Sequence, residues 1–422
     1  MTMTATAPDR SASLDTIKRR STLINGWVLI GLAVFVAAVL GLGSVGDATF
    51  RLALPGDVIA LPNLVVPAAP YIYIVAALLA FFGGRQFVRG AARRSSLFLG
   101  LGLFLAVTTF LVWATAGKDF SLTGMLEATV VRAVPIALGG LVGVLSERVA
   151  VVNIGIEGML LSGAFTGAIV GSLLGGWIGL VAAVAVGGIM GFILGALVIT
   201  YRVDQIIAGV AINLFALGLT SYVTSQVLTV HHEFNEAPIF DGIDIPLLSS
   251  IPIVGRVFFQ QNIFVYGAAI IIAIGTYYLF HTRWGLRARA VGEHPEAADT
   301  LGLNVYRIRY INVTIGGMVA GFAGAWFTLG SVGRFDINMT NGRGFIGLAA
   351  MIFGRWHPVG ALMAALVFGF ADALQQKLAI LQTPIPSEFL AMAPYIATLV
   401  LVAGLIGRAR APAADGKPYV KD

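Results

Sequence analysis

Two carboxylates, Glu157 and Asp372, stand inside or at the ends of long apolar runs. A charge at the centre of a membrane helix costs on the order of 2.5–3.5 kcal/mol on insertion scales, so each must face protein or water. Around the first of them, the segment AVVNIGIEG (150–158) interrupts its apolar pattern with Asn153, Gly155, Glu157 and Gly158. Glycines loosen a helix at such a point, and the Asn amide supplies both a donor and an acceptor. Backbone groups freed by the break need partners, which a cavity holding water or a polar solute provides. Asn213, inside a run that begins near Gln205, is a second amide of this kind. Asn153, Glu157 and Asn213 are therefore expected to border a route for a polar solute; a purely structural helix break is the competing account.

Other chemistries find little support. Cysteine is absent, which removes disulfides, thiolate metal sites and cysteine nucleophiles. No G-x-x-x-x-G-K-[ST] occurs, because Lys118 is followed by Asp119 and Lys417 by Pro418, so the chain is not expected to bind ATP through a P-loop. Gly41, Gly43 and Gly46 fit G-x-G-x-x-G but close an apolar helix rather than join a strand to a helix. His231 and His232 precede Glu233 without the second, spaced His of a zinc site. No G-x-S-x-G or nucleophile–base pairing suggests an intramembrane enzyme. Catalytic residues, metal ligands and bound cofactors are all expected to be absent.

The elements that must hold these residues follow from composition. Of 422 residues, 58% are hydrophobic and 11% charged, against roughly 45–50% apolar and about 25% charged in a soluble domain. Lipid must therefore act as solvent, and the +6 formal charge is topological rather than a mark of nucleic-acid binding. At about 20 apolar residues per crossing, runs fall at 23–42, 64–84, 96–116, 131–147, 156–174, 177–200, 205–229, 263–281, 310–330, 342–355, 358–376 and 389–407. The fold class is an all-α polytopic membrane protein of about 10–12 transmembrane helices. The runs 131–147 and 342–355 are short and Gly-rich, so they read as broken or re-entrant. Residues 1–22 read as a disordered cytoplasmic tail; the run after it is too long for a signal-peptide core and lacks an A-x-A site.

Lys and Arg concentrate in alternate loops, among them Arg85, Arg89, Arg93, Arg94, Arg283, Arg287, Arg289, Arg307, Arg309, Arg408 and Arg410. Positive-inside bias then places both termini in the cytoplasm. The opposite loop, 231–262, carries Glu233, Glu236, Asp241 and Asp244 against a single Arg256, as suits either a docking surface or a merely solvated loop. A weak internal repeat relates 138–165 to 346–374: each is a short Gly-rich helix, a basic break and a long helix. Duplicated halves with interrupted helices point to a transporter. Gly187, Gly191 and Gly195, then Gly317, Gly321 and Gly324, form ladders that let membrane helices approach closely.

One loop between crossings is unlike the rest. In RWGLRARAVGEHPEAADTLGLNVYRIR (283–309), Pro295 can open a helix, Glu296 suits its positive end and Gly302 can close it. A short capped helix with no membrane to span is placed to dock a partner. Glu296, Ala297, Ala298, Asp299 and Gly302 make E-A-A-x-x-x-G, which resembles the cytoplasmic coupling loop of binding-protein-dependent ABC importer permeases, although the downstream I-x-L-P of the fuller pattern is missing. SERVAVVNIGIEGMLL, DQIIAGVAINLFALGLT, GLRARAVGEHPEAADTLGLNVYRIRY and GLAAMIFGRWHPVGALMAAL strengthen the likeness. Together they resemble the permease family of simple-sugar, branched-chain amino acid and nucleoside importers, most closely its nucleoside-type branch.

The resemblance covers about 121–407, leaving an N-terminal extension with extra helices over 23–120 and a cytoplasmic tail over 408–422. It implies a plasma (inner) membrane permease that pairs with a second permease subunit, identical or not. An ABC ATPase subunit would supply ATP hydrolysis and an extracytoplasmic lipoprotein would bind the solute, expected to be a nucleoside. Glu296, Ala297, Ala298, Asp299 and Gly302 would then form the ATPase contact, with Arg287 and Arg289 assisting. A simple-sugar or branched-chain amino acid permease, or an ion-coupled carrier using Glu157 and Asp372 directly, are the alternatives.

Overall fold

The computed structural model describes residues 10–57, 59–88, 95–381, 389, 392 and 410–421. Among these, ten helices are long and apolar enough to cross a membrane, and strand is confined to short pieces. The chain divides into two compact units, residues 1–123 with 377–386, and residues 124–376 with 387–422.

In the first unit, α1 (Arg10–Phe35), α2 (Ala68–Val88) and α3 (Ser95–Ala114) are joined through a small sheet of β1 (Asp47–Arg51), β2 (Leu64–Pro67) and β3 (Asp119–Ser121). β1 is central, antiparallel to β2 with Phe50 opposite Leu64, and parallel to β3 with Phe50 opposite Phe120. The sequence places a disordered tail over 1–22, whereas helix begins at Arg10. Extending a helix backwards from a formed apolar run avoids the nucleation cost a separate segment would bear. Polar side chains tie the three helices: Ser95 Oγ donates to Gln86 Oε1 at 2.6 Å and accepts from Asn25 Nδ2 at 3.0 Å.

The second unit carries α4 (Leu122–Glu147), α5 (Ile156–Leu174), α6 (Gly176–Gly195), α7 (Gln205–Val223), β4 (Ile243–Asp244), β5 (Gln260–Gln261), α8 (Ile263–His281), α9 (Arg283–Glu293), α10 (Pro295–Thr300), α11 (Val305–Phe327), α12 (Arg343–Phe353) and α13 (Pro358–Ile380). β4 and β5 form a two-stranded antiparallel ribbon. Single π turns extend α6 to Thr200, α7 to Leu228 and α11 to Val332.

Helices α5, α6 and α11 pack at the centre, and the glycine ladders set their spacing. A Cβ on Gly187 would collide with the Gly317 carbonyl, one on Gly317 with that of Gly187, and one on Gly324 with that of Leu160. Such close backbone approach supplies the dispersion contacts that hold helices together where no hydrophobic effect operates between them.

The two short runs resolve differently. The one expected at 131–147 is the inner part of the 26-residue α4, a full crossing that keeps Pro135 within it; neighbouring helices can re-satisfy the backbone group that Pro frees. The one at 342–355 is α12, 11 residues long, or about 16 Å, half of a hydrocarbon core. It lies against α4, where Gly347 meets the backbone of Gly139 and Gly140. In each member of the repeat the break enters left-handed backbone at non-glycine residues, Ala150 after α4 and Arg355 and Trp356 after α12. The run expected at 389–407 falls, apart from residues 389 and 392, outside the described residues.

Candidate functional site

The break after α4 is held at both its ends by α7. Gln205 Oε1 accepts from the Val152 amide at 2.6 Å, while Asn213 accepts from the Gly158 amide at 2.7 Å and donates to the Ile154 carbonyl at 2.9 Å. Asn213 thereby substitutes for helix hydrogen bonds that the break removes. Close approach makes this possible, since a Cβ on Gly158 would lie 2.9 Å from Asn213 Cα.

Glu157 crosses to the start of α12. Its Oε1 accepts from Thr340 Oγ1 at 2.6 Å and from the Gly342 amide at 2.8 Å, and its Oε2 from the Gly344 amide at 2.6 Å. Only 8% of the residue is exposed. A carboxylate receiving three short donors at a helix N-terminus is a strong, charge-assisted anchor. Asn153 is fully buried, donates weakly to Ser146 Oγ at 3.3 Å, and leaves its Oδ1 without a partner. Asn153, Glu157 and Asn213 thus meet at one break, where Glu157 and Asn213 are occupied by protein groups.

Beside this anchor lies a charged triad. Asp372 Oδ2 on α13 accepts from Arg132 Nη1 on α4 and from Arg343 Nη2 on α12, both at 3.0 Å. Arg132 also contacts Gln376, and the Arg343 guanidinium lies 5.6 Å from the Phe327 ring centre. Arg132 is roughly 15 Å from one end of α4 and roughly 22 Å from the other at 1.5 Å per residue, well inside the span. The three side chains keep 17–20% of their surface exposed, and lipid is too costly a neighbour for that surface. Sequence reasoning weighed Asp372 but missed both arginines; Arg132 inside an apolar run was the available signal.

At the Lys/Arg-rich end of the bundle, α9 and α10 form a shelf. Thr282 caps α9 through the Gly285 amide at 3.1 Å, and Asn304 caps α11 through the Arg307 amide at 2.9 Å. Between them α10 starts at Pro295 and stops before Gly302, whose φ of +82° suits glycine. Ala298 is buried, while Glu296 and Ala297 are exposed and Glu296 lies 3.2 Å from His294 Nδ1. Arg287 points outward, but Arg289 is drawn against Phe280, its guanidinium 5.1 Å from the ring centre. Beneath the shelf, Trp356 Nε1 donates to Glu147 Oε2 at 2.5 Å and Arg148 Nε to the Trp356 carbonyl at 3.0 Å. The breaks after α4 and α12 are joined there. Burial holds Arg148 below the ordinary arginine range.

Residues 125–406 match the family model described as the permease component of the branched-chain amino acid transport system. The chain belongs to this permease family. The guanosine ABC transporter permease protein NupQ of Bacillus subtilis is 44% identical over 70% of the chain and 96% of its own length. The nucleoside ABC transporter permease protein NupC of Lactococcus lactis is 38% identical over 68% and 93%. The ribose import permease protein RbsC of Escherichia coli is 26% identical over 69% and 88%. No solved structure matches the chain. As a permease of this family with ten long apolar helices among the described residues, the chain is a multi-pass membrane protein and a transporter subunit. The likeness read from its motifs is met by the family match.

Proposed function

We propose that the chain is the membrane subunit of an ATP-binding cassette importer that carries nucleosides into the cell. The observation that carries this reading is the match over nearly the whole of two nucleoside permeases and about two thirds of this chain, at 44% and 38% identity. Its partners are a cytoplasmic ATPase subunit, a second permease subunit, the same or different, and an extracytoplasmic substrate-binding lipoprotein. The basic end of the bundle faces the cytoplasm and both termini lie there, following the Lys/Arg bias. ATP is consumed by the partner, and this chain holds no cofactor.

On this reading α10 receives the ATPase through Glu296, Ala297, Ala298, Asp299 and Gly302. Arg287 is free to assist electrostatically, and Arg289 to brace α9 through Phe280. Closure of the ATPase pushes on α10 and tilts the attached crossings between outward-open and inward-open states. The break at Asn153, Glu157 and Asn213 borders the solute route, and the triad of Arg132, Asp372 and Arg343 contributes its polar surface. An ion-coupled carrier gains no support from the geometry: Glu157 is engaged by three donors and Asp372 by two arginines.

Uptake of radiolabelled guanosine by cells expressing the whole transporter tests the solute class. Unlabelled nucleosides should compete, and ribose and leucine should not. Competition by ribose or leucine alone would replace the nucleoside reading with a sugar or amino acid permease.

A further inference from the structure

The C-terminal segment Arg410–Lys421 does not hang free beside α10. The Ala414 amide donates to the Gly292 carbonyl at 3.1 Å and the Ala413 amide to Glu293 Oε2 at 3.2 Å, fastening the segment to the end of α9. Lys421 Nζ lies 3.4 Å from Asp299 Oδ1 of α10, and its amide donates to Tyr306 Oη at 3.4 Å. Tyr419 is 4% exposed, with its ring centre 5.4 Å from that of Tyr306 and 5.9 Å from the guanidinium of buried Arg309, both on α11. The Asp415 carboxyl faces the carboxyl of Glu147, the last residue of α4. Glu147 in turn holds Trp356 between α12 and α13.

We propose that residues Pro412–Lys421 act as a clasp that positions α10 against α11 and the inner end of α4, so that motion of α10 reaches the α12–α13 hairpin. Tyr419 and Asp415 are its positioning residues. Six residues of helix on a flexible loop would absorb a push by bending; tied at both ends, α10 passes the push on. The clasp reaches α4, which α10 does not adjoin in sequence, through Asp415, and grips the end of α9, which leads directly into α10, through Ala413 and Ala414. It ends at the residue pair joining the two breaks, Glu147 and Trp356. This inference rests on the reading of α10 as the ATPase contact.

The test uses the complete transporter, chain plus partners, in proteoliposomes, with guanosine uptake and ATP hydrolysis measured on the same sample. Tyr419→Ala is expected to assemble with its partners and keep ATP hydrolysis within about twofold, while solute moved per ATP falls at least about fivefold. Tyr419→Phe keeps the ring and should restore the ratio. Deletion of residues 411–422 should reproduce the Tyr419→Ala effect. An unchanged ratio in both Tyr419→Ala and the deletion overturns the clasp. The chain has no native cysteine, so Glu293→Cys with Ala413→Cys, a contact outside the α10 residues assigned to the ATPase, allows clean cross-linking by a short bismaleimide. Transport surviving the cross-link supports a clasp that stays closed; transport blocked by it means that the segment must release, which also overturns the proposal. Glu296→Trp is the separate control: wild-type uptake in that variant would remove the α10 reading itself, whatever the tail does.

Discussion

Replacing Glu157 by Gln tests the anchor between α5 and α12 with almost no change of shape. The carboxylate accepts three hydrogen bonds of 2.6–2.8 Å, two from backbone amides and one from Thr340. A glutamine keeps one acceptor oxygen and presents an NH2 group where the other stood. If its oxygen stays with Thr340 and Gly342, the NH2 faces the Gly344 amide, donor against donor. One charge-assisted bond is then lost and the others weakened, with a buried amide left unsatisfied, a total of about 3 kcal/mol. At 1.4 kcal/mol per tenfold, local opening of the α12 N-terminus becomes roughly 100-fold more frequent. Hydrogen exchange of the 340–346 peptide, read by mass spectrometry, should accelerate by that order while peptides of α6 stay protected. Guanosine uptake should fall with it. If exchange at Gly342 and Gly344 is unchanged in the variant, Glu157 does not anchor α12 and the reasoning fails.

Three further outcomes follow. Asp372→Asn leaves two guanidinium groups facing each other inside the span without a counter-charge, a loss of about 3–5 kcal/mol. Folded yield by size-exclusion chromatography should drop, and Asp372→Leu combined with Arg343→Met should recover part of it. Gly317→Val drives a side chain into the Gly187 carbonyl and should abolish folded protein, whereas Gly218→Ala, which meets nothing within 4 Å, should be neutral or slightly stabilising in a thermal melt. Burial raises the Asp415 carboxyl to about 6, against hydrogen bonds from Glu147 and the Gly416 amide and the charge of Arg309, all of which lower it. The seated segment therefore favours the protonated acid: its seat is fully stable below the ordinary aspartate range near pH 4 and loosens as pH rises through about 6. A fluorophore on Val420→Cys should report greater mobility at pH 7.5 than at pH 5, and Asp415→Asn should remove the difference.

Much of this molecule was legible in its residues. Among the described residues, apolar runs located closely nine of the ten helices long and apolar enough to cross, because lipid obliges each crossing to satisfy its own backbone and leaves length and hydropathy as a direct record. The α10 helix was legible for a different reason, since Pro295, Glu296 and Gly302 are local signals that need no tertiary contact to be read. The inner part of α4 misled because its apolar run is short and Gly-rich; the helix continues outward through Arg132, whose partners Asp372 and Gln376 stand 240 and 244 residues away. The triad was hidden for the same reason: a charge inside a span announces that a partner exists but not which one. Glu157 was identified as a polar group needing company, yet that its company is the backbone of Gly342 and Gly344 depends on a half-helix whose depth no spacing specifies. The tail gave least of all, because Tyr419 and Asp415 acquire meaning only from the surface on which they rest.

The central claim is that this chain is a gate moved by an ATPase it does not contain. Reconstitution decides it most directly, by following labelled guanosine into proteoliposomes holding either the complete transporter or this chain alone. The complete transporter should accumulate guanosine only when ATP is supplied to the ATPase face, and the chain alone should accumulate none under a proton or sodium gradient. Gradient-driven accumulation by the single chain would contradict the account.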